Sequence, residues 1–527
     1  MKRFYTFFFI GMLAASAIAQ VKARYPKTRR PIAIEHGMST DPAHASRRVG
    51  LHSTAPLTST GSPKIPVILV QFQDMRFISG LPEGDSCKSE ADELIVNDYF
   101  TKYANGLGDG GYYRGHGSRG AITEYFRDQS DGQFTPEFTV VGPVTLSNGY
   151  AYYGKNNSNG KDSNTSAFYK EAIQKAQEKN VDWTVFDNDK NGSVDMAFFV
   201  FAGAGENGDD DENTIWPHEL PSGGTIGGVK YGCYACCNET YKNKADGIGV
   251  FIHELSHALG LPDFYDYNYE AYGLDYWDIM DSGCYCQNGY APCGYSTYEK
   301  DFMGWQSLIT LDMDQPQHLT LQPVSLGGNG YKMMNPENAN EYYIIENRQN
   351  KRWDAYIGRG TNDNTCHGLL VSHINYTQSA WTGNRLNTCS QETQRYTIVP
   401  ADEDLYSYMN VNDSITYRLF MISAASDPFP GLLDVTALES NKQPVYTTTG
   451  ETPGELNQPL RNIKENEDGS IELDYCPRGV NPPSTGLVEI STETPDVTVY
   501  DLQGRKMQQK VLPAGIYIIN HRKVLVK

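Results

Sequence analysis

The sequence carries no excess of basic charge, no cysteine before position 87 and, beyond its first twenty residues, no apolar run long enough to span a bilayer. With 44 Lys/Arg against 64 Asp/Glu the formal net charge is -20, so no overall field is available to neutralise a phosphate backbone, and nucleic acid is not an expected partner. Collagen-like and low-complexity repeats are also missing. What is present, 39% hydrophobic and 20% charged residues, lies far from the disordered corner of composition space. A chain of 527 residues, at about 100 to 200 per domain, implies several folded units.

Lys2 and Arg3 precede an apolar run from Phe4 to Ala15, followed by the small-x-small pattern Ala17-Ile18-Ala19. This pattern predicts a signal peptide over 1–19, since the run is too short for a transmembrane helix. From 20 to 62 the composition turns to Pro, Arg, His and Ser, read as a pro-segment or linker. Residues 1–60 carry a net charge of +7, leaving -27 on the rest, the pattern of a secreted precursor. The ten cysteines all lie after this leader and are even in number, which makes disulfides the default expectation. The expected cross-links join the 233–237 cluster to the 284–293 cluster, and Cys366 to Cys389. A thiolate metal site built from Cys233, Cys236, Cys284 and Cys286 is the rival reading.

Ile65 to Phe72 reads as a buried strand opening the first folded domain, Ala121–Asp128 and Ser166–Lys179 as helices, and Met196–Ala202 as a second buried strand. After Trp305 the pattern shifts to Val/Ile/Thr/Tyr-rich runs at Tyr342–Ile345, Leu369–Ile374 and Tyr396–Val399. The fold class expected is α+β: a catalytic domain over 63–305, a β-rich domain over 306–478, a linker over 479–486 and a small β tail over 487–527.

The stretch from Gly249 to Asp263 reads H-E-x-x-H-x-x-G-x-x-D. Residues four apart share a helix face, so His253 and His257 can reach one metal with Glu254 beside it. Gly260 can end the helix in a left-handed conformation, Pro262 prevents its continuation, and Asp263 can then supply a third ligand. By composition alone this pattern arises in about one chain in ten thousand of this length, so two satisfied core histidines are the weaker reading. Three protein ligands with one open position define a catalytic zinc site, in which Glu254 serves as general base for an attacking water. Further on, Met280 sits in the polar turn Trp277-Asp278-Ile279-Met280-Asp281-Ser282-Gly283, which is similar to the Met-turn of metzincin peptidases.

The elongated motif with Asp at its third ligand position, followed by Leu261-Pro262-Asp263-Phe264-Tyr265-Asp266 and the Met280 turn, resembles the immune inhibitor A family of secreted metzincin-type metallopeptidases. Val67–Phe77, Ser130–Phe134, Ile215–His218, Gly304-Trp305 and Tyr343–Arg348 look like family blocks in family order. The resemblance implies an endopeptidase acting on protein or peptide substrates, with His253, His257 and Asp263 on zinc and Glu254 as base. Where some metzincins place a tyrosine two residues after the methionine this chain has Ser282, and Tyr285 is the candidate for that role. Asp266 is the substitute candidate for the third ligand. The alternative is a non-catalytic surface adhesin keeping the zinc fold, against which the intact Glu254 argues.

Asp187, Asp189, Asn191, Ser193 and Asp195 occupy loop positions 1, 3, 5, 7 and 9, with Gly192 at 6, matching most of a calcium loop. Position 12 is Phe198, so a looser loop than an EF-hand is expected. The tail, with period-two runs at Val497–Tyr500 and Ile516–Ile519, resembles the C-terminal sorting domain of type IX secretion cargo. That implies a Gram-negative extracellular or cell-surface destination and contact with the secretion machinery. His218 and His373 lack ligand spacing and are read as satisfied core residues.

Overall fold

The computed structural model describes residues 55–482, except 110, 159, 210, 242–243, 268–270, 360–365, 389–393 and 446–453, with the backbone of short strands at 499–500, 515–519 and 522–526. The signal peptide, most of the pro-segment and the end of the linker lie outside the described residues.

The first half is built on a seven-stranded mixed sheet. Strands β1 (Lys64–Gln71), β2 (Glu137–Thr145), β3 (Val194–Ala204) and β6 (Val229–Tyr241) run parallel in the order β2-β1-β3-β6, and β4 (His218–Leu220), β5 (Gly224–Ile226) and β7 (Lys244–Ala245) pair antiparallel with β6. Both faces of the central strands are covered, which is why β1 and β3 read as unbroken apolar runs rather than alternating ones. Successive side chains sort to opposite cores: Met196, Phe198 and Val200 face one, Ala197, Phe199 and Phe201 the other. Each buried phenylalanine contributes about 1.5–3 kcal/mol. On the second face Phe168, Tyr169, Ala172, Ile173 and Ala176 pack from a helix at Thr165–Gln177.

The first face carries three helices: α1 (Glu90–Asn105), α2 (Ile122–Gln129) and α4 (Gly249–Ala258), with Thr165–Gln177 numbered α3. The expected helices and strands of this half lie within two residues of their anticipated ends. The sequence reading passed over α1, although Ser89 and Asp92 form a reciprocal capping box at its start.

The second half holds a five-stranded sheet in the order β13-β12-β11-β10-β8, from β8 (Ile309–Thr310), β10 (Tyr331–Asn335), β11 (Asn338–Arg348), β12 (Gly368–Asn375) and β13 (Tyr396–Ile398). The intervening β9 (Gln317–Leu321) joins a smaller sheet with Leu460–Glu465 and Ile471–Tyr475. Helices are present here too: α5 (Thr297–Met303) precedes the sheet, and α6 (Gln378–Thr382) and α7 (Ser414–Ser426) follow its central strands. The hydrophobic core crosses position 305 without a break, since Tyr342, Ile344, Leu370, Trp381 and Phe420 share one cluster with Phe251, Leu255 and Met280. Polar bonds cross there as well. Arg348, fully buried, donates to Glu346 Oε1 at 2.9 Å, Asp354 Oδ1 at 2.9 Å and Gly294 O at 2.9 Å, while Glu346 Oε2 accepts from the Thr297 amide at 2.7 Å. In the tail, Gly515–Ile519 pairs antiparallel with both Val499–Tyr500 and Arg522–Val526.

The expected disulfides are not found: no disulfide joins any two of the nine described cysteines, and Cys389 lies outside the described residues. The pleat of β6 explains part of this. Cys233 and Cys237 face one core and Cys236 the other, so the 233–237 cluster is split across the sheet. Burial pushes these thiols up, Cys236 to about 12, and among the described residues Cys233, Cys236, Cys284 and Cys286 do not come together as a metal-holding group.

Candidate active site

Helix α4 is buried along its whole length between the sheet and the 278–293 loop. Phe251 stacks on Phe198 of β3 at 3.5 Å between ring centroids and meets Phe138 edge-on, while His253 and Glu254 line a cleft. Gly249 has no room for a side chain: a Cβ there would lie 1.8 Å from the Cys284 carbonyl oxygen, so glycine lets the helix start press against that loop. After Ala258 the chain reverses at Gly260, whose φ of 100° suits glycine, and the turn delivers Asp263 back to the histidines, as the sequence spacing implied.

The three side chains converge. His253 Nε2 lies 3.0 Å and His257 Nε2 3.2 Å from Asp263 Oδ1, and one donor atom from each residue falls within 4.8 Å of the others. All three are buried. The far nitrogen of each ring is committed: His253 Nδ1 donates to Ile279 O at 2.9 Å and His257 Nδ1 to Leu261 O at 2.7 Å. Carbonyl oxygens only accept, so each Nδ1 carries a proton, and Nε2 is the atom that each ring presents to the carboxylate. Burial alone would lower both imidazole pKa values, but Asp263 outweighs it and raises them. Burial likewise opposes ionisation of Asp263, and the two histidines hold its carboxyl well below the usual range. Three ligand-type atoms converging in a buried space could hold a metal ion, and two imidazoles with one carboxylate are a donor set that fits zinc.

Glu254 is buried beside this cluster and its Oε2 has no hydrogen-bond partner among the described residues. Burial pushes its carboxyl up to about 8, against the pull of His253. Met280 is fully buried, and its backbone ties the turn to the ligand-bearing segments: Met280 O accepts from the Phe264 amide at 2.9 Å, next to the Ile279 carbonyl that orients His253. Asp266 falls outside the convergent set; it lines the cleft and accepts from the Ala271 amide at 2.9 Å. Ser282 and Tyr285 also line the cleft, Tyr285 stacked on Tyr241.

The cleft has a volume of about 400 Å³ and is walled largely by tyrosines, including Tyr265, Tyr272 and Tyr276, with no Lys or Arg among its described lining. One wall, Leu405 to Asn410, comes from the second half of the chain. Ser407 Oγ and the Tyr408 amide both donate to Asp275 Oδ2 at 2.7 Å.

Residues 54–307 match the family model of the immune inhibitor A peptidase M6 catalytic domain. The matched segment contains every convergent residue described above. Two curated relatives agree with it. "Immune inhibitor A" of Bacillus thuringiensis subsp. alesti is 24% identical over 294 residues, 48% of this chain and 42% of that protein. "Pre-pro-metalloprotease PrtV" of Vibrio cholerae serotype O1 (strain M66-2) is 26% identical over 274 residues, 46% of this chain and 29% of that protein. The chain thus spans less than half the length of either relative.

Sequence reasoning missed the groups that hold Asp263. Tyr267 OH donates to Asp263 Oδ2 at 2.7 Å, within a loop where no helical or strand periodicity pairs the two positions. Asn384 does the same from 121 positions downstream, where no local pattern points to it. His218 and His373 are satisfied as expected, the first between Trp216 O and Tyr169 OH, the second on Glu341.

In the loop after Phe186, the carboxylates of Asp187, Asp189 and Asp195 converge within 4.8 Å. Beside them the Asn191 side chain donates to Asp189 Oδ2 at 2.8 Å and Ser193 Oγ to Val194 O. Asp195 is buried, one oxygen held by Asn188 and the other without a hydrogen-bond partner among the described residues, and burial followed by its acidic neighbours pushes its carboxyl up to about 6.

Proposed function

We propose that this chain is a secreted zinc-dependent endopeptidase of the metzincin type. The observation that carries the reading is the convergence of His253 Nε2, His257 Nε2 and Asp263 Oδ1 with both Nδ1 protons already committed. A zinc ion bound there would polarise the scissile carbonyl and lower the pKa of a water. The remaining work falls to the chain. Glu254, an acid beside the donor set whose Oε2 has no hydrogen-bond partner among the described residues, takes a proton from the attacking water and returns it to the departing amine nitrogen, so the peptide bond breaks with protons balanced. The backbone of Ile279 and Leu261 keeps both imidazoles in the tautomer that binds metal. The tyrosine-lined cleft, with no Lys or Arg among its described lining, suits peptides with a large apolar or aromatic side chain.

Export through the signal peptide over 1–19, removal of a pro-segment and contact of the tail with secretion machinery complete this reading. Calcium belongs to it as a structural ion at Asp187, Asp189 and Asp195, where three carboxylates, one with an uncommitted buried oxygen, fit a hard cation.

The test is casein cleavage with and without chelator, beside Glu254→Gln. The expected result is a loss of about 10²–10⁴-fold in the variant with zinc content unchanged. Equal cleavage by wild type and variant overturns the mechanism.

A further inference from the structure

The two oxygens of Asp263 do different things. Oδ1 faces both histidines, at 3.0 Å and 3.2 Å. Oδ2 is turned away and gripped by two donors, Tyr267 OH at 2.7 Å and Asn384 Nδ2 at 2.7 Å. The Asn384 amide makes a second bond to the same residue, its Oδ1 accepting from the Asp263 backbone N–H at 2.6 Å. One side chain thus closes a ring across the main chain and the carboxylate of Asp263, and rotating that carboxylate would break two buried hydrogen bonds together. Asn384 and Asp263 are 2% and 1% exposed, so water is no substitute.

Asn384 is itself held rigidly. It sits at the end of α6 with φ of 51°, a conformation that asparagine tolerates better than most residues, and its amide donates to Trp381 O at 3.2 Å. Trp381 is buried and donates from Nε1 to Tyr298 OH at 2.7 Å, which fixes α6 against α5. The segment then follows the Asp263 turn: Asn387 Nδ2 donates to Phe264 O at 2.6 Å, and Thr388 Oγ1 accepts from the Tyr267 amide at 3.0 Å. Trp381, Asn384, Asn387 and Thr388 all lie outside residues 54–307, the segment that matches the peptidase model.

We infer that Asn384, supplied by the second half of the chain, is a positioning residue for the metal site, holding Asp263 so that a single oxygen is presented beside His253 and His257. The inference rests on the zinc reading above and adds to it that the matched segment does not build its third ligand alone. Outer partners of this kind are worth about 10–100-fold in metal affinity.

The experiment is a zinc titration of the full chain in chelator-buffered zinc, with the visible spectrum of the cobalt(II)-substituted protein as a second readout. Asn384→Ala should bind zinc about 10–100-fold more weakly than wild type. Asn384→Asp keeps the shape and the acceptor for the Asp263 amide but faces Asp263 Oδ2 with a second carboxylate. It should weaken zinc further and alter the cobalt spectrum, and it keeps the question answerable if the alanine variant folds poorly. Asn387→Ala is the control for a merely structural role: Asn387 bonds to Phe264 O, to the Arg395 amide and to the amide and carbonyl of Tyr396, and none of these is His253, His257 or Asp263. It should lower Tm and leave the zinc affinity of the folded protein unchanged. Zinc affinity within about twofold of wild type in both Asn384 variants, or an equal loss in Asn387→Ala, overturns this inference alone. A wild-type chain that takes up no zinc overturns the metal reading itself, and the inference with it.

Discussion

At the His253–His257–Asp263 cluster each donor atom is aimed by a group outside the motif or by the turn that follows it, whereas at Asp187–Asp189–Asp195 nine consecutive residues supply nearly everything. The first is buried on every member; the second has one buried carboxylate and two at the surface side of the loop. The difference teaches what each site can be asked to do. Neutral rings with fixed tautomers hold an ion in one geometry with room for a reacting group, while a short loop of carboxylates bonded to their own backbone adapts to a cation and stiffens a turn.

Removing a donor from the buried cluster should have the largest consequence. His257→Ala is expected to lose zinc by more than about 100-fold, beyond the cost of losing an outer partner, and casein cleavage with it, as read by metal analysis and product release. If the two clusters are independent, calcium should still raise Tm in that variant; a flat response would show that one site depends on the other. Next comes Asp195→Asn. In wild type, calcium at a hundred times its Kd should stabilise the fold by about 2.7 kcal/mol, seen as a higher Tm, and the variant should lose that response while keeping its zinc. An unchanged response would remove Asp195 from the site. The smallest effect is expected from Asn191→Ala, within about 0.5 kcal/mol in stability with or without calcium, since its side chain is exposed and donates to Asp189 Oδ2. A large effect there would restore the full loop pattern that the spacing suggested.

Local patterns carried much of this architecture. Helix α4, its end at Gly260 and the return of Asp263 all follow from spacing within fifteen residues, and the strands β1 and β3 announce themselves as apolar runs because both faces are covered. Helix α7 was harder to see: Ile415, Thr416, Tyr417, Phe420 and Ile422 are residues at home in strands, and the helix is set by Asp413, whose side chain accepts from the amides of Ile415 and Thr416. The cysteine spacing misled because it was counted along the chain, while β6 sends Cys236 to the opposite core from its neighbours. Asn384 was illegible for a simpler reason. Its meaning lies entirely in a contact 121 residues away, and a lone asparagine after a short helix reads as a turn.

The unbroken core across position 305 has a practical consequence for anyone cutting the gene. The family match ends at 307, and an expression plasmid built to that border would encode α4 without Tyr342, Ile344, Leu370 and Trp381, which share its core. The fragment would present that bare apolar surface to the cytosol of its host and collect in inclusion bodies, and its insolubility would say nothing about the peptidase. The useful cut lies beyond Tyr475, where the last strand of the second half is complete.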